Sequence, residues 1–152
     1  MTWQIVLWRG LGGAIAILTM QFLAGFGHAP LALVPFATSI VLVLGTPQME
    51  AAQPRALVGG HLISTLVGLA VSYALGPSPF AAAIAVGLAM VAMYFARAFH
   101  PPAGIDPLII VNESLPWSFL LTTVLPGALL LLSFAFLWHN ALRRGEYPAR
   151  WW

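Results

Sequence analysis

The sequence predicts an all-α membrane protein with six crossings, arranged as two inverted repeats of helix, broken short element and helix. Hydrophobic residues make up 61% of the 152 residues and charged residues only 7%, far less charge than soluble domains of this size carry. The few charges also leave long stretches empty, because none occurs in residues 10–49, 56–96 or 114–142. Clusters of proline, which interrupt helices, divide these stretches further.

The uncharged stretches determine the number and length of the predicted helices. A spanning helix needs about 20 apolar residues, so the first two stretches each hold enough for two passes. Each is also interrupted near its middle, by GFGHAP at residues 25–30 and by GPSP at residues 76–79. We therefore predict long helices near residues 10–26, 56–75, 80–97 and 117–138, with shorter apolar pieces near 31–46 and 102–113.

The arginines predict how the chain is oriented. If every piece crosses once from a cytoplasmic N-terminus, then Arg9, Arg55, Arg97 and the tail at residues 141–152 all face the cytoplasm. This satisfies the positive-inside rule at every arginine, whereas four crossings alone would place some arginines outside. We therefore expect an integral protein of the cell inner membrane, with both termini in the cytoplasm.

A proline motif occurs twice. His28, Pro30 and Pro35 read H-x-P-x4-P, and His100, Pro102 and Pro107 repeat the pattern 72 residues later, with Pro101 as an additional proline. Each motif stands between two long predicted helices, which divides the chain into one repeat at about 10–76 and a second at about 80–140. Three crossings per repeat is an odd number, so the repeats would lie in opposite orientations, as in many transporters. A chance match of three residue types is the alternative.

The two proline motifs predict broken membrane elements. An extended chain from Pro101 to Asp106 would cover about 20 Å, and a half-helix from Pro107 to Glu113 would add about 10 Å. Together these lengths match a hydrocarbon core of about 30 Å. Asp106 followed by Pro107 is typical of an N-cap and the first helical position. Irregular backbone at this depth requires cover by protein or a watery cavity, which is what a permeation route provides.

Three motifs resemble those of a known family. HPPAG at residues 100–104 is preceded by QPR at 53–55 and GGHLIS at 59–64, and is followed by LPWSFLL at 115–121. In this order they resemble the HPP family of integral membrane proteins, which is named for that tripeptide, and the likeness extends from about Phe36 to Trp138. The resemblance implies a membrane transporter or permease, in a family whose plastid and cyanobacterial members are associated with nitrite movement. Many members have small neutral residues after HPPAG, whereas this chain has Ile105-Asp106-Pro107.

Ionisable and hydroxyl side chains mark the predicted substrate pathway. A charge inside the membrane is expensive and is a functional hypothesis by default, and histidine titrates near neutrality. Asp106 is expected to carry a proton or bind a cation, or else only to cap its half-helix; His61 and His100 line the pathway, or else only bond backbone carbonyls. Thr38 and Ser39 would cradle a small anion at a helix N-terminus. The predicted pathway residues are His100, Asp106, His61, Thr38, Ser39 and Gly104.

The remaining features limit the class of function. Residues 60, 64, 68, 72 and 76 are all glycine or serine, a small-residue face for close helix contact within or between subunits. We therefore weigh a permease for a small polar solute, with or without coupling to protons, against a scaffold subunit that binds a partner through this face. A homo-oligomer in the lipid bilayer is expected. No enzyme activity, metal, cofactor or nucleic-acid partner is expected, because the chain has no cysteine, no paired metal-ligand spacing and a net charge of only +2.

Overall fold

The computed structural model describes residues 2–26, 34–142 and 145–151, and this part of the chain is helical, without β-strands. His28 and Pro30 of the first proline motif lie outside the described residues. The described residues form six α-helices, which are α1 (Trp3–Phe26), α2 (Val34–Gly45), α3 (Pro54–Leu75), α4 (Pro79–Phe95), α5 (Asp106–Glu113) and α6 (Leu125–Leu142). Short 3-10 turns cover Glu50–Ala52 and Pro101–Ile105, and a π-helical turn, Leu120–Val124, leads into α6.

Proline, serine and glycine residues explain where the helices begin and end. Proline opens α3 and α4, where its missing N–H costs no helix bond. Ser78 caps α4 by accepting a hydrogen bond from the amide of Ala81 at 3.1 Å. Gly76, whose φ of 70° lies in the left-handed region, stops α3. The predicted long helices are thus confirmed: α3 and α4 start within two residues of the predicted positions, whereas α1 begins seven residues earlier and α6 ends four residues later than predicted.

The prediction of an all-α membrane protein is confirmed. Three apolar helices are long enough to cross a bilayer, over Trp3–Leu23, Pro54–Leu75 and Leu120–Leu142. Pro35–Gly45 and Pro79–Phe95 are shorter apolar helices of the same character. Large hydrophobic side chains such as Trp3, Phe80 and Leu137 are more than two-thirds exposed, as expected where lipid rather than water surrounds the helices.

The second broken element differs from the prediction. Residues 101–105 form a 3-10 turn instead of an extended chain, and this turn leads directly into α5. At about 2.0 Å per residue for the turn and 1.5 Å for the helix, the element is about 22 Å long, less than the hydrocarbon thickness of about 30 Å. Asp106 is a helical residue at the start of α5, and its carboxylate does not cap the helix.

Basic residues and helix ends gather at one end of the bundle, which we call the basic end. Three contacts connect the helix ends that meet there. Arg9 Nη1 near the start of α1 donates to Gly45 O at the end of α2 (2.9 Å), and Arg55 Nη2 at the start of α3 donates to Ala96 O just after α4 (2.8 Å). The rings of Trp8 in α1 and Trp138 in α6 stack with their centroids 4.1 Å apart. α1 and α3 therefore start at this end, and α2, α4 and α6 finish there. The inverted repeat of the two halves stays a prediction.

The glycine face of α3 packs inside the same chain. An added Cβ at Gly60 would lie 2.5 Å from the Cβ of His100, and one at Gly68 would lie 2.8 Å from the Cα of Pro107. Between them, Ser64 Oγ donates to the carbonyl of Ala103 at 2.5 Å. This close approach seats the 3-10 turn and α5 directly against α3.

Candidate functional site

Four polar side chains meet in the interior and are completely inaccessible to solvent: Ser39, His61, His100 and Asp106. They come from α2, α3, the residue before the second 3-10 turn, and the first residue of α5. We call these four residues the buried polar cluster. Along each helix, Ser39 and His61 lie about 10 Å from the basic end at 1.5 Å per residue.

The cluster is one continuous chain of short contacts. Asp106 Oδ2 lies 2.8 Å from His61 Nδ1, and His61 Nε2 lies 2.8 Å from Ser39 Oγ. The same serine oxygen lies 2.8 Å from His100 Nε2. The other nitrogen of His100, Nδ1, donates to the carbonyl of Ala51 at 2.6 Å. All four distances are those of good hydrogen bonds.

Asp106 has unequal partners at its two oxygens. Thr65, one turn after His61 on α3, donates its hydroxyl to Oδ2 at 3.3 Å. Oδ1 is buried and has no hydrogen-bond partner among the described residues. A buried polar atom without a partner is costly, so this oxygen offers an unfilled binding position.

Local sequence explains how the cluster is held. Gly60 lets the backbone at residues 98–100 approach α3, which brings the His100 ring within 5.1 Å of the His61 ring. Proline at 101 and 102 has no N–H to satisfy, so the chain enters the 3-10 turn without orphan donors there. Ser64 then anchors the turn through Ala103. On its other side, His61 contacts Phe36 of α2 at a ring distance of 4.7 Å.

The surroundings of the cluster are asymmetric. Away from the basic end, the buried side chains next to α5 are apolar: Leu69, Ile110, Phe119 and Val124. Val124 belongs to the π-helical turn, a rare structure that is frequent at functional sites. Pro126 follows closely, and its missing N–H leaves the helix less constrained there. This side of the cluster is closed by hydrophobic packing.

Towards the basic end lies a cavity of about 660 Å³, which we call the vestibule. Arg55, Arg97 and Arg150 line it together with one acid, Glu50. Ala51, whose carbonyl accepts the bond from His100, is also part of its wall. The vestibule is therefore basic and is separated from His100 by a single backbone segment. A larger cavity of about 820 Å³ lies between α1 and α2, and none of its lining residues belongs to the cluster.

The structure brings together four of the six predicted pathway residues: His61, His100, Asp106 and Ser39. The hydroxyl of Ser39 is engaged by two imidazoles, and its role in cradling an anion stays a prediction. Thr38 is exposed on the outer face of α2, and Gly104 is half-buried with open space where a Cβ would be. Neither joins the cluster.

Residues outside the cluster also make contacts that bear on its surroundings. His139 is 2% exposed, and its Nε2 donates to Val43 O at 3.1 Å. The sequence does not predict the carbonyl of Ala51 as the partner of His100, because a backbone carbonyl leaves no signal in the residue type. Arg150 reaches the vestibule from the tail, and this too could not be read from spacing. Among the described residues, no group of three or more histidine, aspartate or glutamate side chains is arranged to hold a metal ion.

Comparison with known proteins agrees with the HPPAG motif. A family model for the HPP transmembrane region matches residues 1–148. Two curated Dictyostelium discoideum proteins, both described as transmembrane proteins, are 38% and 36% identical, each over 77% of this chain. The match covers 40% and 44% of their lengths, so the chain spans less than half of each relative. No solved structure matches significantly. With the family model matching nearly the whole chain, this protein belongs to the HPP family of integral membrane proteins.

Proposed function

We propose that the protein is a small membrane permease that moves a small polar solute through the buried polar cluster. The observation that supports this proposal is the cluster itself, in which two histidines and an aspartate are all 0% exposed inside a largely apolar helical bundle. Ionisable groups at such depth are expensive and typically belong to substrate or proton pathways. They also lie where two short helices, α2 and α5, meet a long one, which is where transporters place their sites.

The vestibule favours an inorganic anion such as nitrite as the solute. Three arginines against one glutamate make its wall positive, and a concave basic surface raises the local concentration of anions. Arg55 is also held in place by its bond to Ala96 O. Under the positive-inside rule the vestibule faces the cytoplasm, with both termini on that side.

The described conformation is a closed one, because the cluster is sealed from the vestibule and from the opposite side. Transport therefore requires at least two further arrangements, one opening at Ala51 and one at the apolar seal around Ile110 and Val124. The π-helical turn and Pro126 give the second opening a place to bend. We propose alternating access by rocking of the two halves, in a homo-oligomer of the inner membrane.

Uptake into proteoliposomes tests this function. The purified full-length protein is reconstituted, and nitrite uptake is followed under inward nitrite and proton gradients. We expect uptake to fall at least about tenfold in Asp106→Asn and His100→Gln, because each removes a titratable cluster group. His139→Gln is the matched control for a buried histidine bonded to a carbonyl, and Thr38→Ala is the control for α2; both should transport normally. Absence of any nitrite flux in the wild-type protein would refute nitrite as the solute, and equal flux in all variants would refute the site.

A serine hydrolase is the second candidate, favoured by one observation. Ser39 Oγ, His61 and Asp106 have the connectivity of a Ser-His-Asp triad. Against it, Ser39 lies in the middle of α2 with no exposed surface, and its hydroxyl is shared with a second imidazole. A fluorophosphonate probe separates the two functions: covalent labelling that is lost in Ser39→Ala would favour the hydrolase over the permease.

The scaffold alternative is less well supported, because part of the small-residue face on which it depends is covered by the same chain. Gly60, Ser64 and Gly68 are all buried against residues 98–110 of the same chain. A partner could not use this face without displacing the 3-10 turn and α5. Co-purification of a stoichiometric partner that is lost on substituting an exposed residue elsewhere, for example Tyr73, would restore the scaffold function.

A further inference from the structure

The buried polar cluster has one hydrogen too few for its contacts when Asp106 is ionised and both histidines are neutral. Four contacts join Asp106, His61, Ser39, His100 and the Ala51 carbonyl in single file, and each needs one hydrogen atom. An ionised aspartate supplies none, two neutral imidazoles supply one each, and the serine hydroxyl supplies one. Three hydrogens cannot complete four contacts. The remaining acceptor near Ser39, the carbonyl of Pro35 at 3.4 Å, is longer and does not remove the deficit.

One additional proton completes the chain in three different ways. It resides on Asp106, with His61 protonated at Nε2; or on His61 as imidazolium beside an ionised Asp106; or on His100 as imidazolium, with His61 protonated at Nδ1. In all three, His100 Nδ1 donates to Ala51 and every contact contains one hydrogen. All three also contain the same number of protons and the same net charge of zero.

We infer that the cluster is a proton relay that holds one transferable proton and passes it between Asp106 and His100 through His61 and Ser39. This rests on the proposed permease function and identifies the proton as its coupling ion. In the first step, the Asp106 O–H bond breaks and an N–H bond forms at His61 Nδ1. In the second, His61 Nε2 gives its proton to Ser39 Oγ while the serine hydroxyl proton moves to His100 Nε2. No other reactant is needed.

The two ends of the relay have different surroundings. His100 is bound to Ala51 at the wall of the vestibule, where Arg55, Arg97, Arg150 and Glu50 are the charged neighbours. Asp106 lies deeper, with Thr65 on one oxygen and an unfilled position at Oδ1. Apolar residues of α3 and α5 cover the far side. When the cluster opens at Ala51, the proton exchanges with the basic end through His100, and the solute meets the proton at Asp106.

Ser39 is the residue on which this inference depends. A hydroxyl accepts and donates at the same time, so it connects two histidines whose Nε2 atoms both point at it. Alanine cannot connect them, whereas threonine keeps the hydroxyl. Ser39 is a positioning and relay residue, and its removal should uncouple the two ends while leaving each histidine in place.

Infrared difference spectroscopy of the purified full-length protein in liposomes tests the relay without any solute. As pH is raised, we expect the carboxylic acid band of Asp106, assigned by its absence in Asp106→Asn, to disappear in the same step as the His61 and His100 ring bands change. In Ser39→Ala, the Asp106–His61 bands and the His100 bands should change in separate steps, and Ser39→Thr should restore the single step. Separate steps in the wild-type protein, or a single step in a folded Ser39→Ala, would overturn the relay.

A flux measurement distinguishes failure of the relay from failure of the permease function. In the same liposomes, Ser39→Ala should lose proton-driven nitrite accumulation by about 10²-fold, the scale of lost proton-transfer catalysis, with Ser39→Thr close to wild type. Wild-type nitrite flux with undiminished accumulation in Ser39→Ala would overturn the relay alone. A single spectroscopic step without nitrite flux would leave the relay standing and overturn nitrite transport.

Discussion

Gly60→Ala should destabilise the protein, because α3 and the segment before the 3-10 turn touch at this glycine. The new methyl group would lie 2.5 Å from the Cβ of His100 and 3.0 Å from the carbonyl oxygen of Ala98. Neither neighbour is the mobile end of a side chain, so the backbone itself must move. Overpacking of this kind costs about 1–3 kcal/mol, and the better helix propensity of alanine returns up to about 1 kcal/mol. Because both neighbours are held by backbone, the overpacking cost should lie in the upper part of this range, about 2–3 kcal/mol, and the expected net loss is about 1–2 kcal/mol.

Thermal unfolding of the detergent-solubilised protein measures this loss. For a chain of this length, about 1–2 kcal/mol corresponds to a decrease in Tm of about 2–8 °C. Gly87→Ala is the matched control, since Gly87 lies within α4, is exposed, and has no atom within 4 Å of an added Cβ. Its Tm should stay the same or rise. If Gly60→Ala and Gly87→Ala had the same Tm, the close approach of His100 to α3 would be refuted, and with it the geometry of the cluster.

Two further changes test contacts at the site and at the tail. Ser64→Ala removes the hydrogen bond to Ala103 O and should cost about 1 kcal/mol of stability, measured as a lower Tm. Ser133→Ala is the control, because the hydroxyl of Ser133 is exposed and bonds only within its own helix, so its Tm should not change. Equal Tm values for the two variants would contradict the anchoring role of Ser64. Tyr147→Phe should remove a pH dependence. Burial raises the pKa of Tyr147, whose hydroxyl donates to Ala52 O at 2.8 Å, so its contribution is complete below the unfolded pKa of about 10 and is lost as pH rises above that value. The wild-type Tm should therefore fall at alkaline pH more steeply than that of Tyr147→Phe, and parallel curves would contradict this assignment.

The helix positions could be predicted from the sequence because they depend on local signals. Charge-free stretches, prolines at helix starts and Gly76 are all visible along the chain, and the observed α3 starts only two residues before its prediction. The choice of His61, His100 and Asp106 also followed, because burying an ionisable group in an apolar chain has few explanations.

Side-chain partners could not be read in the same way. Asp106 before Pro107 has the local pattern of a cap, yet its carboxylate binds His61 of α3, 45 residues earlier. Thr38 and Ser39 are neighbours with similar chemistry, and only the packing of α2 decides which one faces inwards. The conformation of the 3-10 turn likewise depends on Ser64 and Gly60 of α3, which are distant in sequence.

The three-residue turn Glu50–Ala52 accepts hydrogen bonds on two successive carbonyls, from His100 at Ala51 and from Tyr147 at Ala52. The C-terminal segment and the interior histidine are therefore fastened to the same short piece of backbone. Shortening the chain before Tyr147, or attaching a bulky reporter there, would loosen that piece and alter the chemistry about 10 Å inside the bundle. Fluorophores and affinity handles for studying this protein are better placed on the turn between α3 and α4, at the opposite end of α3 from this anchor.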